Sequence, residues 1–565
     1  MGFFYTGEIY FMMNLEEIKE KWEKKTKDNR GYKHFDCKKN SQSLKLQKYI
    51  TNPLKIAKHS FYPFLHHTII MKKFDKNSLR KIKKKTREIN YSAHIDRLIF
   101  SYYSQILNNK YNDYVLKKNI NNNIIAYRDN LGKNNIHFAK IAFDFIRKFK
   151  SCFIIIGDFS NFFDNLDHNY LKDQICKVLN TSYLSDDWYA IYKNITKFSF
   201  CELEDIKKFN QMEKNTLKNS RYLSPEFFRY LRKNKFLKIK KNLLKGIPQG
   251  SAISAVLANV YMIEFDYKLK QYVEKFNGEY FRYSDDFILI FPTTINENIN
   301  YIREKIQKIR KSIPNLELQE EKTQCFYYYD KKITALNEKN KIGYCFNNTR
   351  IYFKDKKQAF KNYNFYKRIL KNTNCKNKLK KQKINQTRNN YRKYIKHLNF
   401  YKTIEKLLNN INENKSKAYC IYKEFIINLL DKKVKYKNLL SYLGFSFDGK
   451  NIYIRDKTLS KYYYRMYRKI KTINKNNRVS KKGNIISCRV LYSKYSQKGN
   501  KNKTTVKDGN FLSYVERAMN IFTKKDNRSI ACVKNRHYKK IKNKLNRIDE
   551  ELVKKIIKEK FKKNE

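Results

Sequence analysis

No two of the ten cysteines, at positions 37, 152, 176, 201, 325, 345, 375, 420, 488 and 532, form a C-x-x-C pair. That spacing argues against a zinc site and makes reduced, cytosolic thiols the expectation. The nine histidines hold no H-E-x-x-H arrangement. No apolar run approaches the roughly 18 residues of a membrane span, so no membrane association is expected. The start lacks a signal-peptide pattern, since Glu8 separates Phe3-Phe4-Tyr5 from Tyr10-Phe11-Met12. Met12 and Met13 leave a later start open. No internal repeat is visible. Acidic residues are scarce, with 52 Asp and Glu against 124 Lys and Arg, a net charge of +72. Such a surface attracts polyanions, and phosphate neutralisation makes binding salt-dependent. Lys, Asn, Ile and Tyr are abundant together, as an AT-rich genome would also produce, so codon bias shares the lysine excess. The 46 Tyr and 39 Phe divide between core and stacking platforms for bases. A chain of 565 residues buries a large core and divides into several domains.

What is present centres on carboxylates. Tyr283-Ser284-Asp285-Asp286 lies between Tyr280-Phe281 and Phe287-Ile288-Leu289-Ile290-Phe291, a pattern that predicts a β-hairpin with two adjacent acids at its tip. Adjacent like charges raise each other's pKa unless a cation offsets them, and a hard ion such as Mg²⁺ favours carboxylate oxygens. A plain acidic turn is the competing reading. Upstream, Phe153-Ile154-Ile155-Ile156-Gly157-Asp158 predicts a short buried strand with Asp158 at its C-terminal end. Asp158 and Asp285 bridging two Mg²⁺ ions about 4 Å apart would clamp the attacking and leaving oxygens of a phosphoryl displacement; a helix N-cap is the alternative for Asp158. Phe163, five residues on, suits a position under the sugar of a nucleotide, where its ring excludes a ribose 2′-hydroxyl, or a place in the core. Between these elements Lys245-Gly246-Ile247-Pro248-Gln249-Gly250 reads as a turn, and a helix of small residues is expected from about Ser251.

In this order the segments resemble the palm of reverse transcriptases. Asp158 to Asp164 looks like motif A, Gly246 to Asn259 like motif B, and Tyr283 to Asp286 like the Y-x-D-D of motif C. Leu316 to Thr323 looks like motif D, and Tyr442-Leu443-Gly444-Phe445 resembles the primer grip. The resemblance implies an α+β right-hand polymerase with fingers, a palm built on an antiparallel sheet and a helical thumb, plus mostly helical extensions and an insertion. It assigns metal binding to Asp158, Asp285 and Asp286, with Mg²⁺ (two ions) or Mn²⁺, and leaving-group protonation to Lys322. Nucleotide contacts fall to Arg87, Arg128, Phe163, Gln249 and Gly250. Arg87 and Arg128 sit in Lys85–Ile89 and Ile125–Arg128, which resemble the finger strands whose cations meet a triphosphate. The expected divisions are 1–60 as an N-terminal extension, 61–157 as mostly helical fingers with a hairpin near 118–128, and 158–330 as palm. Residues 331–435 follow as a basic helical insertion, 436–470 as palm end with primer grip, and 471–565 as a basic helical thumb.

Ser284 stands where Ala or Val is more usual, and Ala255 replaces a common motif B proline. No maturase or H-N-H signature follows residue 470, and the retron V-T-G element is missing. Tyr32-Lys33-His34-Phe35-Asp36, His59-Ser60-Phe61-Tyr62-Pro63-Phe64 and Ala93-His94-Ile95-Asp96-Arg97 instead look like bacterial abortive-infection and defence-associated reverse transcriptases. The larger enzyme of paired-polymerase type 3 systems is the nearest match. That resemblance implies a cytoplasmic bacterial enzyme that uses dNTPs, an RNA template or non-coding RNA and a DNA product. A second reverse transcriptase and homo-oligomerisation are further expected partners. Template-independent and protein-primed synthesis, a retron or group II intron-like enzyme, and a non-catalytic nucleic-acid scaffold are the alternatives; nothing in the residues chooses among the priming modes.

Overall fold

The structure is a computed structural model that describes residues 14–27, 31–74, 82–212, 221–292, 299–319, 323–336, 342–346, 349–353, 439–475, 495, 510–522 and 530. It is α+β, with antiparallel pairings in each of two compact units. The first unit holds Met1–Gly132, Ile156–Phe291 and Ile299–Thr323; the second holds Lys133–Ile155, Pro292–Asn298 and Gln324–Glu565.

In the first unit, helix Leu15–Thr26 opens on a capping box in which Asn14 and Glu17 satisfy each other's backbone amides. Its Trp22 is fully buried, edge-on to Tyr102 of helix His94–Lys117 at 5.7 Å. The residue before that long helix is Ala93, which has no capping side chain. Asp36 supplies the cap from a distance in sequence, accepting from the backbone amides of His94 (2.9 Å) and Ile95 (3.0 Å) and from His94 Nδ1 (2.8 Å). These bonds outweigh the burial that acts against ionisation and hold the Asp36 carboxyl below its usual range.

Strand Phe64–Phe74 pairs antiparallel with Ile82–Tyr91, from Leu65 opposite Tyr91 to Phe74 opposite Ile82. On its other side Phe64 lies parallel to Phe200 of strand Ser199–Glu202. This long hairpin stands in a stretch, 61–150, expected to be mostly helical with a short hairpin near 118–128. Ile69 and Ile70 are both exposed and cations are frequent, so the ribbon lacks the alternation that marks a strand with one buried face. Residues 118–128 form turns instead. They dock on a strand edge, where Arg282 N donates to Asn123 O (2.8 Å) and Ile125 N to Arg282 O (3.0 Å).

Hairpin Glu279–Tyr283/Asp286–Pro292 runs from Glu279 opposite Ile290 to Tyr283 opposite Asp286. Strand Ser151–Asp158 ends beside it. Helices Ser254–Tyr261, Ile263–Glu274 and Ile299–Lys311 follow the same unit's chain, and Phe159, Phe265 and Phe287 meet ring to ring at 5.3–6.0 Å. The motif B helix begins at Ser254, later than expected, because the Ser254 hydroxyl donates to Pro248 O (2.7 Å) and ties the preceding residues into a turn.

In the second unit, residues 151–155 lie beside strand Gln324–Tyr329, which pairs with Lys332–Ala335. Strands Leu440–Tyr442, Phe445–Phe447 and Ile452–Ile454 form an antiparallel meander. Phe447 stacks on Phe143 of helix Asn135–Arg147 at 5.0 Å. Helix Asp456–Lys475 follows, its Arg and Lys interleaved with Tyr. The insertion expected to be helical contains strands wherever it is described, at Lys332–Ala335, Ile342–Phe346 and Thr349–Phe353. The sequence also suggests helices at 363–370 and 391–408 and a charged helix at 548–563, and these lie outside the described residues.

Candidate active site

The strand ending at Asp158 is held in place by its neighbours' backbones. Gln319 N donates to Asp158 O (2.8 Å), Ser160 N to Glu317 O (2.8 Å) and Phe159 N to Asp285 O (3.3 Å). Gly157 allows the hairpin to close on this strand, for a Cβ there would clash with Cζ and Cε1 at the tip of the Phe287 ring. In the hairpin, Ser284 and Asp285 form a two-residue turn between the paired Tyr283 and Asp286, with Ser284 in the left-handed region at φ 62°.

This turn carries Asp285 to Asp158. Burial raises the Asp285 pKa above the usual carboxylate range, and the negative charge and side-chain hydrogen bond of Asp158 raise it further. Two carboxyl groups are therefore in contact at the junction of strand and turn. Asp286, the next residue and the first of its strand, is exposed, while the rest of that strand is buried. Among the described residues no three His, Cys, Asp or Glu side chains are grouped to hold a metal. The two carboxyls that the structure brings into contact are Asp158 and Asp285. That pair fits a hard cation, since both donors are carboxylate oxygens and a divalent charge would relieve the repulsion that raises Asp285.

Around the pair, three chain segments interlock. Gly246 N donates to Leu166 O (2.7 Å), and Ile247 N to Phe163 O (2.9 Å). Gly246 has φ +84° and lies against the backbone of Asp164, a place closed to any residue with a Cβ. Phe163 is half-buried and edge-on to Phe162 at 5.6 Å. Asp164 is raised by burial, the Gln249 side-chain hydrogen bond opposing this and the Glu88 charge adding to it. Gln249 O accepts from Asn90 N (2.9 Å), and exposed Gly250 sits against the Asn90 carbonyl. The structure therefore brings Phe163, Gln249 and Gly250 together with strand Ile82–Tyr91, on which Arg87 is exposed.

Arg128 is a correction. Its side chain is buried, with Nε donating to Asn112 Oδ1 (2.7 Å), Nη1 to Asn121 O (2.6 Å) and Nη2 to Asn121 Oδ1 (2.6 Å). A guanidinium committed in this way organises the 121–128 turns and does not grip a triphosphate. Lys322 lies outside the described residues. Tyr442 and Phe445 are paired strand ends in the second unit, and Leu443 (φ 46°) with Gly444 (φ 93°) makes the turn between them. Asn135 Nδ2 donates to Leu443 O (3.1 Å) and so fixes that turn.

One buried network was not anticipated. Arg282 forms a fork on Asp266, Nε to Oδ1 at 2.7 Å and Nη2 to Oδ2 at 2.6 Å, with both side chains fully buried. Its Nη1 reaches Asn259 Oδ1 (3.1 Å) and Ser284 O (3.0 Å), while Tyr280 donates to Asp266 Oδ1 (2.6 Å). Asn259 in turn donates to Ala126 O (2.9 Å), and the Tyr127 hydroxyl meets the Ser284 hydroxyl at 3.0 Å. Arg282 thus positions the turn that bears Asp285. The available signal was one cation at an inward position of an apolar strand, two residues from Tyr280.

A strand ending in a carboxylate, beside an antiparallel hairpin whose turn carries a second, is the palm arrangement of right-hand polymerases. No family model matches this chain, and no curated protein matches it. Solved telomerase structures do. The apo telomerase of Candida tropicalis truncated from its C-terminal domain is 14% identical, with 54% of this chain and 57% of that chain covered and a TM-score of 0.30. Telomerase of Candida albicans in complex with the TWJ fragment of telomeric RNA is 13% identical over 69% of this chain and 62% of that chain, with a TM-score of 0.29. This chain therefore spans little more than half of the telomerase chains it matches.

Proposed function

We propose that the chain is an RNA-directed DNA polymerase of the reverse-transcriptase class, acting through a metal-dependent nucleotidyl transfer. The observation that supports this most is the contact between Asp158 and Asp285, two carboxyls from separate elements that destabilise each other unless a cation lies between them. Mg²⁺ bound there supplies a lowered pKa for a primer 3′-hydroxyl and neutralisation of departing pyrophosphate. The protein's own contribution is positional. Gly157 lets the two elements close, Arg282 holds the turn through Ser284 O, and the Gly246–Gly250 turn with Phe163 borders the place of the incoming nucleotide. Phe163 favours deoxynucleotides, Arg87 meets the triphosphate and Lys322 protonates pyrophosphate in this reading. The primer grip is Tyr442–Phe445. Asp286 contributes to the metal site from the adjacent position.

The segments that resemble those of defence-associated reverse transcriptases support a role in antiphage defence, with a non-coding RNA and a second polymerase as partners. Among the described residues no helix is long and apolar enough to cross a membrane. The test is dNTP incorporation on a primed RNA template, with Mg²⁺ binding followed by calorimetry. Asp158→Asn and Asp285→Asn should each abolish incorporation and weaken Mg²⁺ binding while the fold persists by circular dichroism. Wild-type incorporation by either variant would reject the site.

A further inference from the structure

Helix Pro225–Lys233 has a buried face and an exposed face of a different character. Phe228 and Leu231, with Leu237 beyond the helix, pack into a core containing Phe35, Leu65 and Leu203. That anchoring leaves Tyr230 54% exposed and Phe236 59% exposed, with ring centroids 6.1 Å apart. Phe227, partly buried, stacks on Tyr230 at 6.2 Å with the ring planes only 10° apart. The aromatics therefore form a ledge of three rings, two of them open to solvent. Arg229, Arg232, Lys233, Lys235 and Lys238 are all exposed along the same stretch, where Glu226 is the one acid between residues 225 and 241. Large exposed rings cost free energy in water, and so dense a cationic fringe repels itself; a polyanion with flat apolar faces relieves both.

We propose that this ledge is a binding site for single-stranded nucleic acid, its bases stacking on Tyr230 and Phe236 and its phosphates meeting the flanking cations. Paired bases in a duplex keep their faces covered, so the ledge selects unpaired strands. It contains neither member of the carboxylate pair, and it does not depend on the polymerase reading. The stacking chemistry is common to RNA and DNA, and the 2′-hydroxyl separates them in the test.

The experiment uses the full chain and oligonucleotides carrying 5-bromouracil, as single-stranded RNA, single-stranded DNA and a duplex, in photo-cross-linking and fluorescence anisotropy. Peptides containing Tyr230 or Phe236 should be cross-linked to the single strands and not to the duplex. Tyr230→Ala with Phe236→Ala should weaken single-strand binding about 10-fold or more, as alanine substitution of a stacking aromatic does. Both side chains are exposed, so the melting temperature should not move. Lys233→Glu with Lys235→Glu should lower the slope of log affinity against log salt by about one to two. Asp158→Asn should leave all of this unchanged, which separates failure of the ledge from failure of the catalytic reading. Absence of cross-links at both rings, or an equal loss of duplex and single-strand affinity in the alanine variant, would overturn the proposal. A loss confined to RNA or to DNA would support it and identify the strand.

Discussion

Gly157→Ala is the substitution whose effect the structure defines best. The residue lies in strand Ser151–Asp158, its φ is not in the left-handed region, and alanine meets no backbone obstacle there. Alanine should even gain about 0.4–1 kcal/mol by reducing the freedom of the unfolded chain. Against this, the added methyl clashes with the tip of the Phe287 ring, which is fully buried and packed between Phe159 and Phe265. Overpacking of this kind costs about 1–3 kcal/mol. The steric term wins, and the strand and hairpin are pushed apart at the Asp158–Asp285 contact. Phe287→Ala alone should cost about 3–5 kcal/mol through the cavity it leaves. In that background the methyl has space, so Gly157→Ala should become neutral or slightly stabilising, and the two changes should be strongly non-additive. Hydrogen exchange of peptides covering residues 279–292 reads the local opening energy without assuming that a chain of several domains unfolds in one step. Net of the gain the loss is about 0–2.6 kcal/mol, so protection there should fall by up to about 70-fold in Gly157→Ala, since 1.4 kcal/mol is a factor of ten. dNTP incorporation should fall with it. An equal loss from Gly157→Ala with and without Phe287 would refute the steric account.

The raised pKa of Asp285 has a consequence for stability as well as activity. A carboxyl raised in the folded state binds more protons folded than unfolded, so without metal it stabilises at acid pH, and that contribution is lost as pH rises through the folded value. Asp285→Asn should accordingly raise the melting temperature of the metal-free protein at neutral pH. The gain should vanish when pH falls to the ordinary carboxylate range, and added Mg²⁺ should narrow it; scanning calorimetry across pH would show a constant difference if the reasoning fails. Asp266→Ala leaves Arg282 buried without its partner, a loss of about 3–5 kcal/mol. The same hydrogen-exchange measurement should find the Ser284–Asp285 turn opened, and unchanged protection would dismiss the network. Arg128→Ala should lower stability while leaving the KM for dNTPs in the folded fraction unaltered, because its guanidinium is occupied by Asn112 and Asn121. A raised KM at full stability would restore it to the nucleotide site.

The chemistry was legible in the linear order of residues because backbone rules act locally. Three isoleucines before Gly157-Asp158 can only be comfortable as a buried strand, and apolar runs on either side of Ser284-Asp285 specify a hairpin whose turn must bear the acids. Partnerships across the fold were not legible. Arg87 and Arg128 are both cations in short polar contexts, and only tertiary packing made one exposed and the other a buried brace for two asparagines. Asp285 and Asp286 are neighbours, yet the turn delivered the first to Asp158 and left the second exposed at the start of a buried strand. Arg282 gained its role from Asp266, sixteen residues earlier and on a helix. Sequence determines which side chains can do the chemistry; desolvation and the pairing of distant elements decide which of them meet, because the energy of a charge is set by what surrounds it in space.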